Sequence, residues 1–130
     1  MLEILKGVTA ERAAARPIKN AHSIWELVLH IAAWDGAVRR RMGGVAVKLT
    51  DAENFPAVKD PSEAAWGKAL VEVRRAHEEL IAAVEGFPEK SLWKPVPGKK
   101  GAHYNFYYML QGAVQHELYH AGQIALLKKM

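Results

Sequence analysis

Apolar residues recur every three to four positions in three long stretches of the chain, the spacing that lines one face of an α-helix. The first stretch carries Leu27, Ile31, Trp34 and Val38 and closes at Gly43-Gly44. It opens at Ser23-Ile24-Trp25-Glu26, where the Ser hydroxyl and the Glu carboxylate stand at the spacing of a capping box and satisfy free backbone amides. The second carries Trp66, Leu70, Val73, His77, Leu80 and Val84 and ends near Gly86, with Pro88 beyond. Asp60-Pro61-Ser62-Glu63 reads as its capping box, with Pro61 at the first helical position, where a missing amide costs nothing. The third begins around Asn105 and runs to the C-terminus with Met109, Ala113, His116, His120, Ile124 and Leu127 on one face. Upstream the pattern is weaker, because Gly7 interrupts the apolar start and a short helix is predicted from Thr9 to before Pro17. Residues 43 to 60 and 87 to 104 are rich in Gly and Pro and read as long connections, of the kind that forms walls or lids over sites. With no strand pattern and no internal repeat, the fold class is all-α, a helical bundle.

The same periodicity turns histidines inward. His116-Glu117-Leu118-Tyr119-His120 places two imidazoles four residues apart on one helix face, about 6 Å along the axis, a span that one ion can bridge. The string also matches HExxH, the zinc-protease signature in which the Glu is the general base. That class of enzyme takes a third ligand from downstream, and Ala121 to Met130 contain no His, Asp, Glu or Cys. A third donor must come from upstream, and His30, beside the apolar stripe of the first long helix, is the candidate. Three neutral imidazoles leave a divalent ion its full charge and an open position, the pattern of catalytic sites. Such an ion lowers the pKa of bound water to about 7 and deprotonates a bound thiol. Glu117 is the candidate catalytic base, or else a hydrogen-bonded carboxylate beside the site. Glu26 is one turn before His30 and either orients its second ring nitrogen or serves only in the capping box. His77 reads as a core histidine, and His22 and His103 as loop residues at the rim or mouth of the site. The aromatic residues Trp25, Trp34, Tyr104, Phe106, Tyr107, Tyr108 and Tyr119 read mostly as core and rim packing.

Composition narrows the class further. With 130 residues, 50% of them hydrophobic, the chain reads as one domain over residues 1–130. It has no cysteine, so disulfides and thiolate ligands are excluded and a transition metal must be held by imidazole and carboxylate. The net charge of +4 resides partly in Arg39-Arg40-Arg41, Lys99-Lys100 and Lys128-Lys129, short clusters at helix ends or turns, where the backbone dipole favours cations. They form no stripe that suits nucleic acid. No apolar run reaches the length of a membrane span, and the start of the chain lacks the apolar core of a signal peptide. A cytoplasmic protein with neither nucleic-acid nor membrane partners is expected.

Two segments carry a resemblance to a known family: Ala21-His22-Ser23-Ile24-Trp25-Glu26-Leu27-Val28-Leu29-His30-Ile31 and Gly112-Ala113-Val114-Gln115-His116-Glu117-Leu118-Tyr119-His120-Ala121-Gly122-Gln123-Ile124. Together they resemble the DinB/YfiT-like superfamily, over most of residues 9 to 130. The resemblance implies a four-helix bundle holding a divalent metal, zinc or nickel, through one His of its second helix and an HxxxH pair of its fourth, here His30, His116 and His120. It implies an enzyme that activates a thiol or water against a small electrophilic substrate, as a thiol S-transferase or hydrolase, with a low-molecular-weight thiol as cosubstrate. The alternative is a non-catalytic stress-response or binding module whose metal is structural or absent. The first helix, normally long in that family, is short or interrupted here. The groove so left predicts a homodimer, in which a second copy covers exposed apolar faces.

Overall fold

The computed structural model describes residues 2–101 and 103–130. After a 3₁₀ turn at Leu2–Leu5 come α1 (Ala10–Ala14), α2 (Ile24–Met42), α3 (Asp51–Asn54), α4 (Glu63–Glu85), a second 3₁₀ turn at Glu89–Trp93 and α5 (Phe106–Lys128). Among the described residues there is no strand, only an isolated bridge between Pro95 and Asn105. The all-α expectation therefore holds, as does the short first helix. No helix among the described residues is long and apolar enough to cross a membrane.

The helix ends follow their capping chemistry. Ser23 caps α2 through its side chain while Glu26 returns a bond to the Ser23 amide at 2.7 Å, the reciprocal box expected from sequence. The start of α4 differs from expectation. Asp60 Oδ1 accepts from the Ser62 amide at 3.0 Å, which moves the cap onward to Ser62 and leaves Pro61 outside the helix. Glu63 is then free for a distant task, accepting from the amide of Ala10 at 2.9 Å and so helping to cap α1. The stretch 43 to 60, expected to be a connection, contains α3, whose own capping box joins Thr50 and Glu53. Gly7 turns the chain between the first 3₁₀ turn and α1 with a φ of 76°, a conformation that glycine adopts without strain.

α2 is the centre of the bundle. α4 and α5 both pack on it and scarcely on one another. The core falls into two apolar clusters. One joins Leu5, Ala13, Trp25, Val28, Ile31, Trp66, Val73 and Ile124, and in it the indole N–H of Trp66 donates to the Val8 carbonyl at 2.8 Å. The other joins Val38, Leu80, Val96, Phe106 and Met109. On α4 the buried stripe is rotated from the expected one: Ala69 and Ala76 are inside, while Val84 is 42% exposed.

Between the two clusters each long helix interrupts its apolar ladder with titratable groups. On α2 the buried Asp35 stands between Ile31 and Val38, and on α4 His77 stands between Val73 and Leu80. On α5, His116, Glu117 and His120 lie between Met109 and Ile124. A polar layer through a bundle core costs stability unless its groups are paired or ligated, so this belt is where function is to be sought.

Candidate metal centre

The half of the belt nearest Phe55 brings together His30 of α2 with His116 and His120 of α5, three groups that could hold a metal ion. The Nε2 atom of His116 lies 2.9 Å from that of His30 and 3.1 Å from that of His120. Ligand nitrogens about 2.0 to 2.1 Å from a tetrahedral ion stand about 3.3 Å from each other, so both distances to His116 are close to coordination spacing, and the ligand atoms of all three lie within 4.8 Å of one another. His30 and His120 are buried and His116 is partly so.

Protonation follows from the partners of the other ring nitrogens. His30 Nδ1–H donates to the Asn54 carbonyl at 2.7 Å, and His120 Nδ1–H donates to Gln123 Oε1 at 2.6 Å. In a neutral imidazole whose Nδ1 carries the proton, Nε2 offers a lone pair. Two lone pairs therefore face His116 Nε2, which can donate one proton at most. A cation accepts from all three, whereas a hydrogen bond leaves one buried acceptor facing another; the donor set fits a metal. Protonation is resisted as well. Burial, then the neighbouring His120 and His30, push His116 down to about 4. Burial, followed by weaker effects of His120 and His22, also lowers His30, against the raising influence of its bond to Asn54.

The supporting residues come largely from parts of the chain without helical periodicity. Asn54, at the end of α3, accepts from the Trp34 indole through its side chain at 2.7 Å as well as from His30 through its carbonyl. Phe55 stacks on the His30 ring at 4.0 Å, and His22 stacks on the other face of that contact, 3.9 Å from Phe55. Neither Asn54 nor Phe55 was foreseen; the Thr50-to-Glu53 capping box was the available signal for α3. Gln123 was also missed, although it lies one helical turn past His120, within reach of that ring.

The other candidates are distributed differently. Glu26 serves its capping box and pairs with Arg16, while the Nδ1 position of His30 is filled by Asn54. His22 lines a cavity beside His120, whereas the ring contact of His103 is with Tyr108. Glu117 directs its carboxylate to His77, with Oε1 3.0 Å from Nδ1, and forms no hydrogen bond to His30, His116 or His120. The basic cluster stands in the last turn of α2, as expected, and Arg41 of it is buried: its Nε and Nη2 donate to the Val47 carbonyl at 3.2 and 2.8 Å, and its Nη1 has no partner among the described residues.

Two cavities flank the histidines. One, of about 190 Å³, runs from His116 past Trp34, Val38, Tyr104 and Met109 to Arg41. The other, of about 510 Å³, lies beside His120 between His22, Leu27, Tyr119 and Leu126. No curated protein and no solved structure matches the chain. The family model of the DinB superfamily matches residues 1–124. A match over nearly the whole chain, together with the all-helical fold and the clustered histidines of α2 and α5, establishes that this chain belongs to the DinB superfamily.

Proposed function

We propose that this protein is a metal-dependent enzyme that brings a low-molecular-weight thiol, or water, to a small electrophile at His30, His116 and His120. The observation that carries the proposal is the convergence of three Nε2 lone pairs, two of them oriented by Nδ1–H bonds to Asn54 and Gln123. A divalent ion such as zinc or nickel supplies Lewis acidity there, lowering the pKa of a thiol or water.

The chain's own residues arrange the reactants. Asn54 and Gln123 hold two imidazoles in the tautomer that ligates. The larger cavity, with Tyr119 and His22 at its wall, has room for a thiol cosubstrate, and the smaller one for an electrophile. Arg41 gives the smaller cavity a chemical preference. Arg41 is 3% exposed, its guanidinium carbon sits 5.4 Å from the centre of the Trp34 ring, and among the described residues it forms no ion pair, although Asp35 lines the same cavity. A buried unpaired cation is costly, so the electrophile we infer carries an anionic group that completes it. The Glu117 carboxylate faces His77 and not the three histidines, which takes it away from the position of a general base. A second copy of the chain covers Val114, Leu118 and Leu126, exposed apolar residues of α5, in a cytoplasmic homodimer.

The test loads the dialysed protein with zinc, nickel or manganese and counts ions in native and His30→Ala protein, then adds glutathione or bacillithiol to the nickel form. Loss of an ion in the variant, with a thiol-dependent charge-transfer band in the native protein, is the expected result. An ion that neither thiol perturbs, in a protein that consumes no electrophile, would favour a binding module with a structural metal. Light scattering at micromolar concentration tests the dimer, and a monomer refutes it.

A further inference from the structure

The other half of the polar belt lies apart from the three histidines, with Asp35 alone also lining the smaller cavity. Asp35 of α2, His77 of α4 and Glu117 of α5 place one ligand atom each within 4.8 Å of the others. His77 Nδ1 lies 3.0 Å from Glu117 Oε1 and 3.7 Å from Asp35 Oδ2. All three atoms are buried, and none has an aligned hydrogen-bond partner among the described residues. Asp35 is the decisive member, since it is only 7% exposed and its Oδ2 is aimed into the cluster.

Two carboxylates and one imidazole are short of positive charge. The ion-pair contacts of Asp35 and Glu117 among the described residues are both to His77, and neither is to a Lys or Arg. With both carboxylates ionised, even a protonated His77 leaves one negative charge among these three groups. Burial, then the charge of Glu117, accordingly pushes Asp35 up to about 7 against the pull of His77. A divalent cation cancels both carboxylates with His77 neutral, and uses every atom of this cluster that lacks a partner.

We propose that Asp35, His77 and Glu117 form a second divalent-cation site, separate from the three-histidine centre. One nitrogen and two carboxylate oxygens suit zinc or manganese, whose bonds of about 2.0 to 2.2 Å put ligand atoms about 3 to 4 Å apart. His116 and Glu117 are consecutive on α5, so their side chains leave the helix about 100° apart and serve different sites. An opening is present: a cavity of about 260 Å³ between α4 and α5 is lined by Asp35, His77, Leu80, Leu110, Ala113 and Glu117. The ion has a mechanical role there. α4 and α5 pack on α2 but scarcely on each other, and a cation held by one residue from each of the three helices ties them together.

The site is tested apart from the three-histidine centre by removing that centre. Chelator-stripped His30→Ala/His116→Ala/His120→Ala protein is loaded with zinc and counted by elemental analysis, and titrated with manganese followed by electron paramagnetic resonance. We expect about one tightly held ion per chain in this variant, with a rise in melting temperature, and its loss when Asp35→Asn and Glu117→Gln are added. An ion-free triple variant with a native circular-dichroism spectrum overturns the proposal and leaves an ion pair only. Should the triple variant not fold, the native-histidine background decides: Glu117→Gln is expected to lower the stoichiometry from about two ions to about one, and a native protein holding about one ion overturns the site.

Discussion

Replacing Gln123 by Leu tests the metal centre without touching a ligand. Leu has a similar volume on a helix and fits a half-buried position, but it removes the acceptor that holds His120 Nδ1–H at 2.6 Å. The ring is then free to rotate or change tautomer, and only the form with its lone pair at Nε2 faces His116 at 3.1 Å. Loss of such an orienting bond typically costs 10- to 100-fold in metal affinity, or about 1.4 to 2.8 kcal/mol. His30 offers no equivalent experiment, because its acceptor is the main-chain carbonyl of Asn54. The metal-free protein also suffers, since His120 is 7% exposed and its N–H is left without a partner, at a cost of about 1 to 3 kcal/mol. Competition against a chromophoric zinc chelator measures the affinity, and urea unfolding of the metal-free protein the stability. Gln123→Glu restores an acceptor and is expected to recover most of the affinity. A Gln123→Leu protein that binds zinc within threefold of the native value would refute the claim that this bond sets the ligand geometry.

Four further outcomes are expected. Ile31→Ala, at a site 1% exposed in the larger cluster, should destabilise the protein by about 3 kcal/mol in urea unfolding; a loss below about 1 kcal/mol would mean that this part of the core is loosely packed. Ser23→Ala breaks the α2 capping box and should cost about 1 kcal/mol, whereas Thr50→Ala at the short exposed α3 should act chiefly on the Asn54 contacts and so on metal affinity. In metal-free protein Asp35, with its carboxyl raised from 3.8 to about 7, holds a proton in the folded state that the unfolded chain releases across that interval. Its penalty therefore grows as pH rises from about 4 and is complete above about 7, so Asp35→Asn should raise the melting temperature more at pH 8 than at pH 5; an equal gain at both would contradict the shift.

Much of the scaffold and one half of the polar belt were legible in the chain. The apolar spacing marks α2, α4 and α5, and Ser23, Gly43 and Asn105 mark their ends, because helix formation and capping depend on residues within a few positions of each other. The same spacing turns His30, His116 and His120 to the inside. The start of α4 was misread by two residues, since Asp60 and Ser62 compete for the cap and local pattern alone does not choose between them. The spacing alone makes His77 a core member of its stripe and Glu117 the candidate base beside the histidine pair. A helical wheel shows that both lie near the interior. It does not show what faces them from another helix.

What the sequence by itself determined is the three long helices and, on α2 and α5, the residues turned inward, through interactions that reach no farther than about one helical turn. The tertiary structure decided the rest: that the Asn54 carbonyl reaches His30, that Arg41 is buried with no ion pair among the described residues, and that Asp35, His77 and Glu117 meet. Those pairings join residues far apart in the chain and depend on how helices are offset and spaced in packing. A difference of an ångström or two there separates a ligand set from a solvated side chain, and no periodicity along one helix records it.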